Sequence, residues 1–180
     1  MKLVLAFLLL LPGLAFAGPV VDLVTNLGTI EVTLDQVKAP KTVANFLAYV
    51  KSGQYDGTTF HRVIKNFVIQ GGGYDVHMKR RPTQKPLVSE ANNGLENVAG
   101  SIAMARASAP DSASDQFFIN VVNNTGLDYG KNGPGYTVFG KVTRGMNVVT
   151  KIADVPTGMV GGMADVPLKP VIIEKITLKP

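Results

Sequence analysis

The sequence contains no cysteine and no tryptophan, and its 180 residues include only two histidines. Without thiols there is no disulfide framework, so the fold must be held by core burial, which a single domain of this length can supply. Two histidines without a thiol also argue against a structural zinc site, and no cysteine is available for lipid attachment at the N-terminus. Nothing in the composition points to a cofactor. Charge of neither sign dominates: 18 Lys and Arg stand against 13 Asp and Glu, a formal net charge of +5. The one basic cluster, Lys79-Arg80-Arg81 with Lys85, lies beside Pro82 and Pro86 and has no interleaved aromatics. It reads as a solvated loop rather than a nucleic-acid stripe.

Long apolar runs are missing too, with one exception. Leu3 to Leu11 is unbroken, follows Lys2, and ends at Pro12-Gly13 and Ala15-Phe16-Ala17. It falls short of the roughly 20 residues needed to span a bilayer, and small residues occupy the positions a signal peptidase reads. Residues 1–17 therefore read as a secretory signal cut between Ala17 and Gly18. Its removal takes Lys2 with it and leaves a formal charge of +4. A cysteine-free exported chain fits a bacterial periplasm, with no membrane insertion after cleavage.

From residue 18 onward the dominant period is two. Residues 20–25 and 29–34 flank Asn26-Leu27-Gly28 and predict a hairpin. Pro40 then opens a helical pattern (Val43, Phe46, Leu47, Val50) ending at Gly53, which predicts a helix over 41–52. Further strands are predicted at 58–64, 67–72, 101–105, 117–122, 137–142 and 171–178, and a second helix over 145–153. Residues 73–98 form a long polar loop, a feature that is usually functional or mobile. The first and last strands are expected to pair. The pattern is mainly β, a barrel or sandwich with two helices.

Familiar catalytic signatures are absent. There is no G-x-S-x-G elbow, and no nucleophile and base can be paired. Gly71-Gly72-Gly73 lacks the Lys-Ser/Thr and helix of a phosphate loop, so it reads as close backbone packing. Asn123-Asn124-Thr125 is a polar loop. What remains is Phe60-His61-Arg62-Val63-Ile64 and Phe67-Val68-Ile69-Gln70, apolar strands carrying a guanidinium and an amide. If Phe60 enters the core, period two puts Arg62 on the same face. Arg62 either pairs with Glu31, Asp22 or Glu174, or stands at the rim of an apolar groove, because an unpaired buried guanidinium is costly. Gln116-Phe117-Phe118-Ile119-Asn120 and the thioether of Met104 suggest an adaptable apolar slot nearby.

Those stretches, with Gly100-Ser101-Ile102-Ala103-Met104-Ala105, Ser114-Asp115-Gln116-Phe117-Phe118-Ile119 and Val138-Phe139-Gly140-Lys141-Val142, resemble the cyclophilin family of peptidyl-prolyl cis-trans isomerases, in its block order and across the whole mature chain. The similarity is to exported bacterial members. It implies a closed eight-stranded antiparallel β-barrel capped by two helices, binding proline-containing polypeptides as a monomer without nucleic acid. By matching position it implies Arg62 as the catalytic guanidinium, with Phe67, Val68, Met104, Phe118 and Leu127 lining a proline pocket. Gln70 and the backbone at Ala105 and Arg106 would hold the peptide, and Tyr136 stands where many members have histidine. Val68 replaces a common Met, Lys65-Asn66 replaces a common Pro-Gly, and Gly126 stands where an aromatic is expected, which should weaken cyclosporin binding. A proline-binding module with little turnover is the rival reading.

Overall fold

The structure is a computed structural model, described here for residues 18–180. Residues 1–17, read above as a secretory signal, lie outside the described residues.

Strands β1 (Val20–Thr25) and β2 (Gly28–Leu34) form the predicted hairpin. Their alternation turns Val21, Leu23, Ile30, Val32 and Leu34 inward, all essentially inaccessible to solvent. Helix α1 (Pro40–Lys51) starts on its proline, whose fixed φ and missing N–H suit a first helical position. There follow β3 (Thr58–Thr59), β4 (Arg62–Ile64), β5 (Val68–Gly71), β6 (Ser101–Met104), β7 (Phe117–Asn120), β8 (Val138–Arg144), α2 (Met146–Ala153), β9 (Thr157–Val160), β10 (Met163–Pro167) and β11 (Ile172–Leu178).

Nine strands make one antiparallel sheet in the order β3-β11-β1-β2-β8-β6-β7-β5-β4, and β9 and β10 form a separate hairpin. The first and last long strands pair as expected, Val21 opposite Leu178. The closed eight-stranded barrel does not appear. The sheet curls through 299° and stays open, with β3 and β4 as its outermost strands. The reason lies in two residues. The predicted strand 58–64 breaks at Phe60-His61, where consecutive side chains are both buried and the chain itself crosses the gap. Phe60 N–H donates to Val171 O (2.9 Å), one step further along the β3–β11 register, whereas Arg62 pairs with Gln70 of β5. Hence Phe60 and Arg62 do not share a face: Phe60 packs inside, edge-on to Phe117 at 6.1 Å, while Arg62 is half-exposed.

The interior is aromatic at its centre. Phe46 of α1 lies 5.2 Å from Tyr55, 5.6 Å from Phe117 and 5.3 Å from Phe139. Helix α1 packs against β11, and α2 against β2, β4 and β5. Gly71 and Gly72 show why glycine recurs there. A Cβ on Gly71 would sit 3.0 Å from Thr59 O, and Gly72, at φ +91°, is pressed against the Tyr55 ring. The triple glycine serves packing.

The long loop 73–98 is tied down at several points. Arg80 makes a two-pronged pair with Asp115 (2.6 and 2.8 Å), and the Asp115 side chain is 1% exposed. Arg81 Nη2 donates to Asp56 O. Two members of the basic cluster are therefore engaged in holding the loop. Glu90 reaches α1, whose N-cap Ala39 has no side-chain acceptor. Its carboxylate accepts from Lys41 N–H (3.1 Å), Thr42 N–H (2.8 Å) and the Thr42 hydroxyl (2.7 Å). A remote acidic residue thus caps free amides at the positive helix end. Replacing Glu90 by Ala is expected to cost about 1–2 kcal/mol, seen as a lower urea midpoint at unchanged slope, with Glu90→Gln costing less.

Candidate active site

Cross-strand register lines up the site. Arg62 faces Gln70 across β4–β5, Gln70 faces Phe118 across β5–β7, Phe118 faces Ala103 across β7–β6, and Ala103 faces Val138 across β6–β8. Directly paired residues point to one side of a sheet, so all five lie on the outer face. The neighbouring row, Val63, Ile69, Ile119 and Ile102, points inward and is buried. With strands about 4.8 Å apart, the Arg62 and Phe118 backbones are about 10 Å from each other.

The apolar end of this row is a cluster distinct from the main core. Val68, Ala103, Phe118 and Val138 form its floor, and Phe67, Leu95, Ala105, Leu127 and Tyr136 pack around it partly exposed. Tyr136 meets Phe118 edge-on at 5.6 Å. The Arg106 guanidinium stacks 4.5 Å from the Tyr136 ring centre, and its Nε donates to Gly135 O (2.9 Å). Arg106 therefore braces the wall. Leu127 is presented by the short turn Thr125–Leu127, and its carbonyl accepts from Tyr136 N–H (3.0 Å). At the rim, Gly126 is exposed, and a Cβ there would meet Asn132 Nδ2 at 3.0 Å.

The polar end is a chain of side chains. Arg62 Nη1 donates to Gln70 Oε1 over a long 3.4 Å, and Gln70 Nε2 donates to Gln116 Oε1 at 2.9 Å. Arg62 Nε lies 3.8 Å from Asp165 Oδ2, both side chains 42% exposed. The partners suggested from sequence are elsewhere: Glu31 binds Lys179 (2.7 Å), Asp22 lies 3.7 Å from the same lysine, and Glu174 is exposed on β11.

Of the residues expected in the site, Arg62, Gln70, Phe67, Val68, Phe118, Leu127 and Tyr136 are brought together on this face. Met104 is not. It pairs with Phe117 in the inward row, is 1% exposed, and belongs to the main core; alternation in β6 gives the outer position to Ala103. The Ala105 N–H is engaged by Gln116 O (2.9 Å), which leaves its carbonyl to offer. Sequence reasoning did not select Gln116 or Asp165. Gln116 carried a signal, an amide next to two phenylalanines; Asp165 carried none, since its hairpin was not predicted. A hollow of about 1330 Å³ lies between residues 18–20, residues 178–180 and β2–β8, sharing Leu95 and Val138 with the slot but not Arg62. It lacks the juxtaposition of a cation with aromatic walls.

The family described as cyclophilin type peptidyl-prolyl cis-trans isomerase/CLD matches residues 20–178. This chain belongs to that family. Like its relatives, it is a peptidyl-prolyl isomerase. It is 51% identical over 171 residues to a peptidyl-prolyl cis-trans isomerase of Acinetobacter baylyi, covering 95% of this chain and 91% of that protein. It is 51% identical over 157 residues to peptidyl-prolyl cis-trans isomerase B of Escherichia coli K12, covering 86% and 96%. Among solved structures it is similar to a cyclophilin type isomerase of Cryptosporidium parvum, crystallised in the presence of the dipeptide Ala-Pro, with a TM-score of 0.74 and 28% identity over 89% of this chain and 99% of that one.

Next to the cyclophilin arginine, His61 faces the other way. It is 5% exposed, packs at a tilt against Tyr74 with ring centres 4.7 Å apart, and its Nδ1 has no hydrogen-bond partner. Burial lowers its pKa from 6.5 to about 4, only partly opposed by the nearby Thr59 backbone and Gln116 side chain. The ring is neutral at pH 7 and is not a cation competing with Arg62. The unfolded chain takes up this proton first as pH falls, so the folded state loses stability from pH 6.5 down to about 4. The expected loss is up to about 3 kcal/mol. Unfolding measured across that range should show a shallower pH dependence in His61→Gln; an unchanged dependence would place the ring in contact with water.

Proposed function

We propose that this cyclophilin speeds rotation about X-Pro bonds in exported polypeptides and assists their folding in a bacterial periplasm, acting as a monomer after residues 1–17 are removed. The observation that carries the catalytic part is the single outer-face row in which Arg62 and Gln70 stand beside the Phe118 and Tyr136 slot. Crystallisation of the Cryptosporidium relative with Ala-Pro supports a proline-containing ligand. Export rests on the apolar run before Pro12 and the small residues at Ala15 and Ala17.

The chemistry follows from the amide. Rotation must break its resonance, a barrier of about 18–20 kcal/mol, and at the twisted midpoint the lone pair localises on the prolyl nitrogen. A donor aimed there gains more in the twisted state than in the planar one, which is the condition for catalysis. Arg62 is that donor. A hydrogen bond from a charged group contributes about 1.5–3 kcal/mol, roughly one to two powers of ten in rate. The remainder comes from the slot. Phe67, Val68, Phe118, Leu127 and Tyr136 hold the proline ring still while the preceding carbonyl turns, and an apolar wall favours the less polar twisted amide. Gln70 and the backbone at Ala105 and Arg106 hold the rest of the peptide. No bond is cleaved, so the reaction needs no nucleophile.

Exchange spectroscopy on a short X-Pro peptide tests this reading. The wild-type protein should accelerate cis-trans exchange, and Arg62→Ala should slow it at least tenfold while peptide binding and the fold persist. Binding without acceleration by the wild type would favour a proline-binding module, and full activity in a folded Arg62→Ala protein would remove the arginine from the mechanism. For export, the protein produced with its leader in a Gram-negative host should be recovered from the periplasm with Gly18 as first residue. Intact residues 1–17 on a cytoplasmic product would overturn it.

A further inference from the structure

The β9–β10 hairpin stands outside the main sheet, yet β10 packs against β4, the strand that begins with Arg62. Its base is anchored. Val166 is 4% exposed and, with Pro167, lines a small cavity of about 110 Å³ shared with Thr59, Phe60 and His61. The residue before Val166 is therefore held close to the residue after His61. That residue is Asp165, and its backbone is unusual. It has φ +62°, a left-handed conformation that non-glycine residues rarely adopt and that Asp and Asn tolerate best. The pairing register of β9 and β10 also shifts between Met163 and Val166. An irregularity of this kind bends a strand and re-aims a side chain. Here it brings the Asp165 carboxylate to 3.8 Å from Arg62 Nε.

Gln70 takes the other side of the guanidinium, through Nη1 at 3.4 Å. The two contacts are on different nitrogens, so together they limit rotation of the guanidinium plane about its long side chain, which neither would do alone. A planar fork is useful in catalysis only if it is held in register with the reacting nitrogen. Asp165 is on the opposite flank of Arg62 from Gln70 and the apolar slot, so it can orient the arginine without occupying the proline site.

We propose that Asp165 is a positioning residue for isomerisation, which holds the Arg62 guanidinium from the hairpin side with its donor edge turned along the outer-face row toward the proline slot. The proposal rests on the isomerase reading above. Because both groups are partly exposed, the effect is modest.

Asp165→Asn is the informative variant, because Asn keeps the shape and tolerates the left-handed backbone while removing the charge; Asp165→Gly removes the side chain and also accepts the backbone. On an X-Pro peptide, both should lower kcat about three- to fivefold with KM changed less than twofold, and Asp165→Glu should recover part of the loss. In an Arg62→Ala background, Asp165→Asn should have no further effect, since coupled residues are not additive. The Arg62 Nε–H signal in NMR, assigned by its absence in Arg62→Lys, should shift and exchange faster with water in Asp165→Asn. Wild-type kcat in Asp165→Asn, or an equal loss with and without Arg62, would overturn the proposal. Were the wild-type protein inactive, the isomerase reading would fall, and the Nε–H signal would still decide whether Asp165 holds the arginine; an unchanged signal would refute it.

Discussion

A slip of one residue between β4 and β5 would carry Arg62 from the outer face to the interior, and with it the whole site would disappear. Every functional feature depends on that register, because side chains in a strand alternate with a period of two. The inward row of Val63, Ile69, Ile119 and Ile102 locks the register by burial, and the outward row inherits its alignment without having to stabilise it. Arg62, Gln70, Phe118, Ala103 and Val138 are aligned on the surface because their neighbours are aligned in the core. The separation of labour explains how a partly exposed cation and an apolar slot can be adjacent without either destabilising the fold.

The open seam of the sheet lies next to this row. Phe60 and His61 cross it with both side chains buried, and Arg62 begins the edge strand that follows. An edge strand has one free flank, and the β9–β10 hairpin packs there. The same seam receives the long loop. Tyr74 O accepts from Thr59 N–H at 2.8 Å, and Arg80 closes on the buried carboxylate of Asp115, whose neighbour Gln116 belongs to the polar chain of the site. A segment without regular structure is thus hydrogen-bonded to helix α1 through Glu90 and, through Arg80, to Asp115, whose neighbour Gln116 holds Gln70.

The site itself divides into an apolar wall and a charged donor held from two sides. Tyr136 is held by Phe118 on one side and the Arg106 cation on the other, while Arg62 has only a long hydrogen bond and a distant ion pair. That division suits isomerisation, in which the wall keeps the proline ring fixed and the donor is aimed at the nitrogen whose lone pair localises in the twisted state. Peptidyl-prolyl isomerisation also makes small demands on proton transfer, and the neutral buried His61 beside the arginine takes no part in it.

Much of this could be read from the residues. Period two located the hairpin of β1 and β2 and the pairing of the first and last strands; Pro40 and Gly53 marked the first helix; and Arg62 with Gln70 stood out as polar groups among residues that bury. The family resemblance named Phe67, Val68, Phe118, Leu127 and Tyr136, which the fold brings to one face. Three things were not legible. Strand 58–64 read as continuous because a chain crossing a sheet opening looks locally like a strand of apolar residues, so Phe60 and Arg62 were placed on the same side. Met104 was assigned to the slot from its thioether and from the family resemblance, although its parity in β6 sends it inward and leaves Ala103 outside. Asp165 lies in a glycine-rich exposed hairpin with no periodic signal. Patterns of period two and 3.6 are properties of neighbours along the chain, and they decide which elements form and which faces bury. Which elements meet is decided by long-range packing: only the closed fold could bring residue 165 to residue 62, because no local rule connects positions about a hundred residues apart.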